Sequence, residues 1–148
     1  MLQVVSGTVR ALKPISTYSV QVFLHNSSIV IELYVSTPWV VHRQDDVSFS
    51  GEVNAATGKF IAYAYANITH RVHGQCGTSL GGGILFVIAG LFFCWAIFPL
   101  FSHIPYGLEE IFFHRKVQQS VCLLYAHVQE KAAVSLNTTR TIVAEINE

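Results

Sequence analysis

One stretch constrains this chain more than any other: Leu80 to Phe101, LGGGILFVIAGLFFCWAIFPLF, a 22-residue run without a single charged side chain. A hydrocarbon layer about 30 Å thick takes roughly 20 residues of helix, and the run has that length. A helix buried in a soluble core usually keeps a polar stripe, and this one has none. The run therefore reads as one transmembrane helix and the protein as a single-pass membrane protein, with the bilayer as its first partner. The opening residues, MLQVVSGTVRALKP, lack the basic start, apolar centre and small-residue cleavage site of a signal peptide, so the internal run is expected to do the targeting.

Around that run the chain divides into a domain over residues 1–70, a juxtamembrane connector over 71–79, the span over 80–101, and a C-terminal amphipathic helix and tail over 102–148. Residues Leu2 to Leu12 alternate between faces as a strand does, with Gly7 marking a bend and Pro14 expected to end the pairing. Tyr18 to His25 and Ile29 to Val35 read as a hairpin around Asn26-Ser27-Ser28. Thr37-Pro38 breaks the pattern, and Trp39 to Val41 is expected as a short strand or as cover for a sheet end. Val47 to Val53 and Lys59 to Thr69 alternate again, separated by a loop ending in Gly58. In the last segment Ile61, Tyr63 and Tyr65 would share one face and Ala62, Ala64 and Ala66 the other, an alanine face on which another layer can lie close.

Five short strands in about 70 residues predict a small closed or half-closed β-barrel. Ser6-Gly7-Thr8-Val9-Arg10-Ala11-Leu12 resembles a first OB-fold strand, and Asp46-Val47-Ser48-Phe49-Ser50-Gly51-Glu52-Val53 resembles the D-x-V-x-x-x-G stretch that opens a fourth. The resemblance is to small OB-fold-like domains attached to a membrane span. It implies a mainly β N-terminal domain, a five-stranded OB-like barrel, with one transmembrane helix and a C-terminal amphipathic helix. It carries no residue-specific role.

Charge is balanced, with nine Lys plus Arg against nine Asp plus Glu. Up to Ser79 the basic residues are Arg10, Lys13, Arg43, Lys59 and Arg71, against Glu32, Asp45, Asp46 and Glu52. There is no phosphate-attracting groove to go with Phe49, Tyr63 and Tyr65, so nucleic acid is not an expected partner. Arg71 before the run and Arg115 and Lys116 after it favour a cytoplasmic tail by one charge. Export of a long N-terminal domain without a leader is the less common route, and the expected topology places the barrel in the cytoplasm. Sequons at Asn26, Asn67 and Asn137 fall on both sides of the run and do not decide it.

Three cysteines, Cys76, Cys94 and Cys122, scatter across the chain and suggest reduced thiols rather than a disulfide framework. His70-x-x-His73-x-x-Cys76 puts three metal-type ligands in seven residues, but no fourth follows and Gly74 interrupts the run. It is kept as the candidate for a metal- or ligand-responsive alternative, with no resident cofactor expected. Asp45 and Asp46 are neighbours whose side chains should point apart, which suits a turn better than an acid–base pair. Neither a G-x-S-x-G elbow nor a P-loop is present, and an enzyme is not expected.

Two surfaces remain that ask for cover. One is the aromatic face at Tyr63 and Tyr65. The other is the helical stripe Val117, Val121, Leu124 and Val128, whose 4-3-4 spacing lines one helix face and can pack on the β domain, lie on a membrane or form an oligomeric seam. The expected function is a non-catalytic accessory or assembly subunit that binds a protein partner or its own copies.

Overall fold

Alternating apolar residues bounded by turn residues build six strands among the described residues: β1 (Gln3–Ser16), β2 (Ser19–Leu24), β3 (Val30–Tyr34), β4 (Asp46–Val53), β5 (Phe60–Asn67) and β6 (Val72–Gln75). Two helices follow, α1 (Leu80–Phe92) and α2 (Ile97–Ile146). The computed structural model describes the backbone of residues 1–25, 27–92 and 97–146, and the side chains of these except 92, 97–102 and 136–146.

The strand order is β3-β2-β1-β4-β5-β6, and a parallel pairing of β3 with β5 closes the first five into a barrel. This closed five-stranded arrangement is consistent with the OB-like expectation. The sixth strand, β6, lies within the stretch read as a connector and extends the sheet beyond β5. Pro14 does not end β1, which stays paired with β2 as far as Ser16. Its pairing with β4 covers only Gln3 to Thr8, so on that side Pro14 has no ladder to supply with a donor. Trp39 covers the barrel end, its indole N–H donating to the Ser16 carbonyl at 3.0 Å.

The barrel interior holds Val9, Val20, Val22, Leu24, Ile31, Leu33, Phe49, Phe60 and Tyr65, all at most 2% exposed. Phe60 and Tyr65 sit on the same strand at odd spacing, which strict alternation forbids. A register shift resolves this: Ser50 faces Ala64 while Gly51 faces Ala62, so Tyr63 is an extra residue on β5. The bulge reverses the phase of the strand. Phe60 and Ala62 point inward before it, and Tyr65 does so after it. The single face predicted for Ile61, Tyr63 and Tyr65 is therefore split. Gly51 is required at this point, because a Cβ there would run into the Ile61 carbonyl.

The expected transmembrane helix over Leu80–Phe101 is overturned. α1 has 13 residues, about 20 Å at 1.5 Å rise, well short of a hydrocarbon core of roughly 30 Å. Among the described residues no helix is long and apolar enough to cross a membrane. Phe93 to Ala96, in the middle of the expected span and including Cys94, lie outside the described residues. The apolar run is shared between two helices packed antiparallel. A Cβ on Gly83 would come within 2.9 Å of the Gly107 carbonyl, and one on Gly107 within 2.6 Å of the Gly83 carbonyl. Further along, a Cβ on Gly90 would meet Ile104 at 2.5 Å. Such close backbone approach is possible only for glycine. Gly83 and Gly90, seven residues apart and so near one helix face, make their contacts inside the chain.

The C-terminal amphipathic helix begins earlier than expected. α2 starts at Ile97, within the stretch assigned to the span, runs unbroken through Pro105 and Gly107, and its backbone stays helical to Ile146. Its middle lies across β1, β4 and β5. Small residues make room for it: the Ser120 hydroxyl donates to Ser50 at 2.8 Å, and His127 Nε2 lies 2.9 Å from the Ser6 hydroxyl, itself 2.8 Å from Ser48. Lys116 Nζ donates to Glu52 at 2.8 Å, and Phe113 meets the Tyr63 ring edge-on at 5.7 Å.

Candidate functional site

Of the two surfaces that the sequence left without cover, the aromatic face is buried within the chain and the helical stripe is covered by the β domain in part. Tyr65 is a core residue, 1% exposed, and its hydroxyl oxygen accepts the Val40 N–H at 3.0 Å. Tyr63 is buried between β4 and α2 and donates to Glu52 Oε1 at 2.6 Å. Burial and the adjacent Glu52 carboxylate push the Tyr63 phenol well above its ordinary value, so it stays a donor at any physiological pH. On α2, Val117 and Leu124 are buried, while Val121 and Val128 are half-buried. Tyr65, Val121, Leu124 and Val128 line a groove of about 600 Å³ between α2 and the β5–β6 edge.

The metal-type trio does not come together as a set. His70 lies in the turn between β5 and β6, while the exposed His73 on β6 packs its ring against Tyr125 at 5.8 Å. Cys76 is half-buried and donates its backbone N–H to the Tyr63 carbonyl at 2.7 Å. Burial pushes its thiol up, against a backbone hydrogen bond at Gly77 that lowers it. A raised thiol is a poor nucleophile at neutral pH.

His70 instead meets residues from the loop between β3 and β4. Its Nε2 is 3.2 Å from Asp45 Oδ1, and His42 Nδ1 is 3.6 Å from Asp45 Oδ2. Asp45 is buried and tied in place: its Oδ2 accepts the His42 backbone N–H at 2.7 Å and the Asn67 amide at 2.6 Å. Burial pushes this carboxyl up, but the His42 N–H, the Asn67 amide and the two imidazoles outweigh it and hold the group below its ordinary value. Asp46 faces the other way, 3.6 Å from Lys131. Asn67 is 1% exposed and both ends of its amide are engaged, so its sequon is closed to modification in the folded chain. No ligand spacing along a single segment announces this cluster, because His42 and Asp45 lie in one loop and His70 in another, 25 residues beyond Asp45.

An uncovered surface does exist, on the hairpin. Val87 and Phe86 of α1 pack onto α2, against Gly107 and the Tyr106 ring, but its other large described side chains are open: Leu85 is 67% exposed and Leu91 59%, with Ile84 and Ile88 close to half. The surface continues onto α2 through Tyr106, Leu108 and Phe112, the last 61% exposed. There Tyr106, Glu109, Glu110, Phe112, Phe113 and Lys116 line a shallow depression of about 400 Å³. No family model, curated protein or solved structure matches the chain.

Proposed function

We propose that the chain is a non-catalytic assembly subunit, a β-barrel head that holds out an apolar two-helix hairpin for a protein partner to cover. The observation that carries this is the inverted packing of α1, which buries glycines against α2 and turns Leu85, Ile88 and Leu91 outward. Contiguous exposed apolar surface of this kind marks an interaction site. Each such side chain gains roughly 1.5–3 kcal/mol when fully buried.

The chemistry around the patch favours protein over lipid as the cover. On α2 Glu109 and Glu110 fall between the apolar residues Leu108 and Phe112, and Arg115 and Lys116 follow them. An aromatic centre with a charged rim is the anatomy of a protein interface. A partner that fits it offers an apolar groove with basic residues at one edge, to meet Glu109 and Glu110.

The test is to isolate the tagged full chain at native level in mild detergent and weigh it by native mass spectrometry, beside Leu85→Asp and Phe112→Asp. Both positions are exposed, so the barrel should fold in either variant. A stoichiometric partner, a second polypeptide or a second copy of this chain, that both variants lose supports the reading. A wild-type chain that runs alone, keeps its partner in both variants, or partitions onto lipid vesicles instead overturns it.

A further inference from the structure

We infer that His42, Asp45 and His70 form a binding site for a divalent transition metal of the zinc type, independent of the hairpin and its partner. Their ligand atoms, two imidazole nitrogens and a carboxylate oxygen, all lie within 4.8 Å of one another. A zinc ion bound at about 2.0–2.1 Å by tetrahedrally arranged N and O donors sets them roughly 3.4 Å apart. His70 Nε2, 3.2 Å from Asp45 Oδ1, is already near that spacing, and His42 Nδ1 lies 3.6 Å from the other carboxylate oxygen, Oδ2. Gathering the three donors around one ion is a matter of side-chain rotation in the imidazoles. His42 and His70 are free to supply it, with side chains 67% and 44% exposed.

The carboxylate is prepared for this role. Asp45 Oδ2 carries the hydrogen bonds from the His42 backbone and from Asn67, so the group is oriented from behind while Oδ1 faces His70. Outer partners that fix a ligating carboxylate are what strong metal sites use. The two loops are fastened as well: Asp46 N–H donates to Thr69 Oγ1 at 2.8 Å and Ile68 N–H to the Asp46 carbonyl at 2.8 Å. The ligands are therefore brought together by the barrel fold and not by their order in the sequence. Imidazole and carboxylate suit zinc and its neighbours better than magnesium or calcium, which prefer oxygen alone. Three protein ligands leave a further position for water or a small anion.

The experiment titrates zinc sulfate into the full chain after chelator treatment, following heat by calorimetry and thermal unfolding in parallel. One ion per chain is expected, with a rise in Tm at saturation. His42→Ala and His70→Ala should each weaken binding by about 100-fold or abolish it, with circular dichroism unchanged because both rings are exposed. His73→Ala and Cys76→Ala should bind as the wild type does. The inference fails if the wild type takes no zinc at one per chain, if His42→Ala or His70→Ala keeps wild-type affinity, or if His73→Ala or Cys76→Ala loses it. In each of these outcomes Asp45 is a loop staple only.

Discussion

The barrel and the hairpin bury opposite kinds of residue. Inside the barrel are Phe49, Phe60, Tyr65 and a shell of valine, leucine and isoleucine. Between the helices of the hairpin Gly83, Gly90 and Gly107 meet backbone, Val87 and Ile104, while Leu85, Ile88 and Leu91 of α1 stay exposed. The barrel removes its apolar surface from water and draws its stability from that. The hairpin gains close backbone packing but leaves much of its apolar surface exposed. One region covers its apolar surface within the chain and the other does not.

The sharpest way to break the comparison is through the barrel core. Tyr65→Ala should destabilise the chain by about 3–5 kcal/mol, since it opens a cavity beside Phe49 and leaves the Val40 N–H without its acceptor. Urea melts read by circular dichroism should show the midpoint collapse. Leu85→Ala, a comparable truncation on the exposed face of α1, should stay within about 0.5 kcal/mol of wild type. Equal losses at the two positions would mean that the hairpin is as finished as the barrel.

A smaller effect is expected at the glycine contact. Gly107→Val puts a side chain where even a Cβ would stand 2.6 Å from the Gly83 carbonyl and 2.9 Å from Val87. Overpacking of this kind costs about 1–3 kcal/mol. The loss should be local. Hydrogen exchange should speed up along α1 while β1, β4 and β5 keep their protection. Uniform loss of protection through the barrel would show that the two regions fold as one unit.

The comparison also explains what the sequence could and could not tell. The strands of the barrel were legible because alternation and turn residues are local signals, and Asn26-Ser27-Ser28 and Asn54-Ala55-Ala56-Thr57-Gly58 are strong turn sequences. The inward turn of Tyr65 was not, because the bulge at Tyr63 exists only relative to Ser50 and Gly51 on another strand. The apolar run from Leu80 was legible as a segment needing apolar surroundings. Its length alone did not distinguish one spanning helix from the adjoining ends of two packed against each other. Gly83 and Gly90, seven residues apart, were the available sign of a close-packed face, but their partner Gly107 lay beyond the run. His42, Asp45 and His70 carry no local pattern at all; only the pairing of β4 with β5 brings their loops together.

The slightest expected effect concerns acid, and it belongs to the barrel side. Hydrogen bonds from Lys116 and Tyr63 hold the Glu52 carboxyl below its ordinary value of 4.5, against burial, which raises it. Lys59 and Gln21 do the same for Glu32. A carboxylate whose folded pKa is depressed contributes its full stabilisation above the unfolded value and loses it as pH falls through the folded one. Tm should therefore be level above about pH 5 and decline as pH drops below 4.5 toward the lower folded values. Glu52→Gln keeps an acceptor for Tyr63 but removes the charge that Lys116 meets on α2, a partly exposed pair worth less than about 1 kcal/mol. The variant should start from a slightly lower Tm at neutral pH and lose less on acidification. An acid slope identical to wild type would remove Glu52 from the contacts that fasten α2, and with it the hairpin, to the barrel.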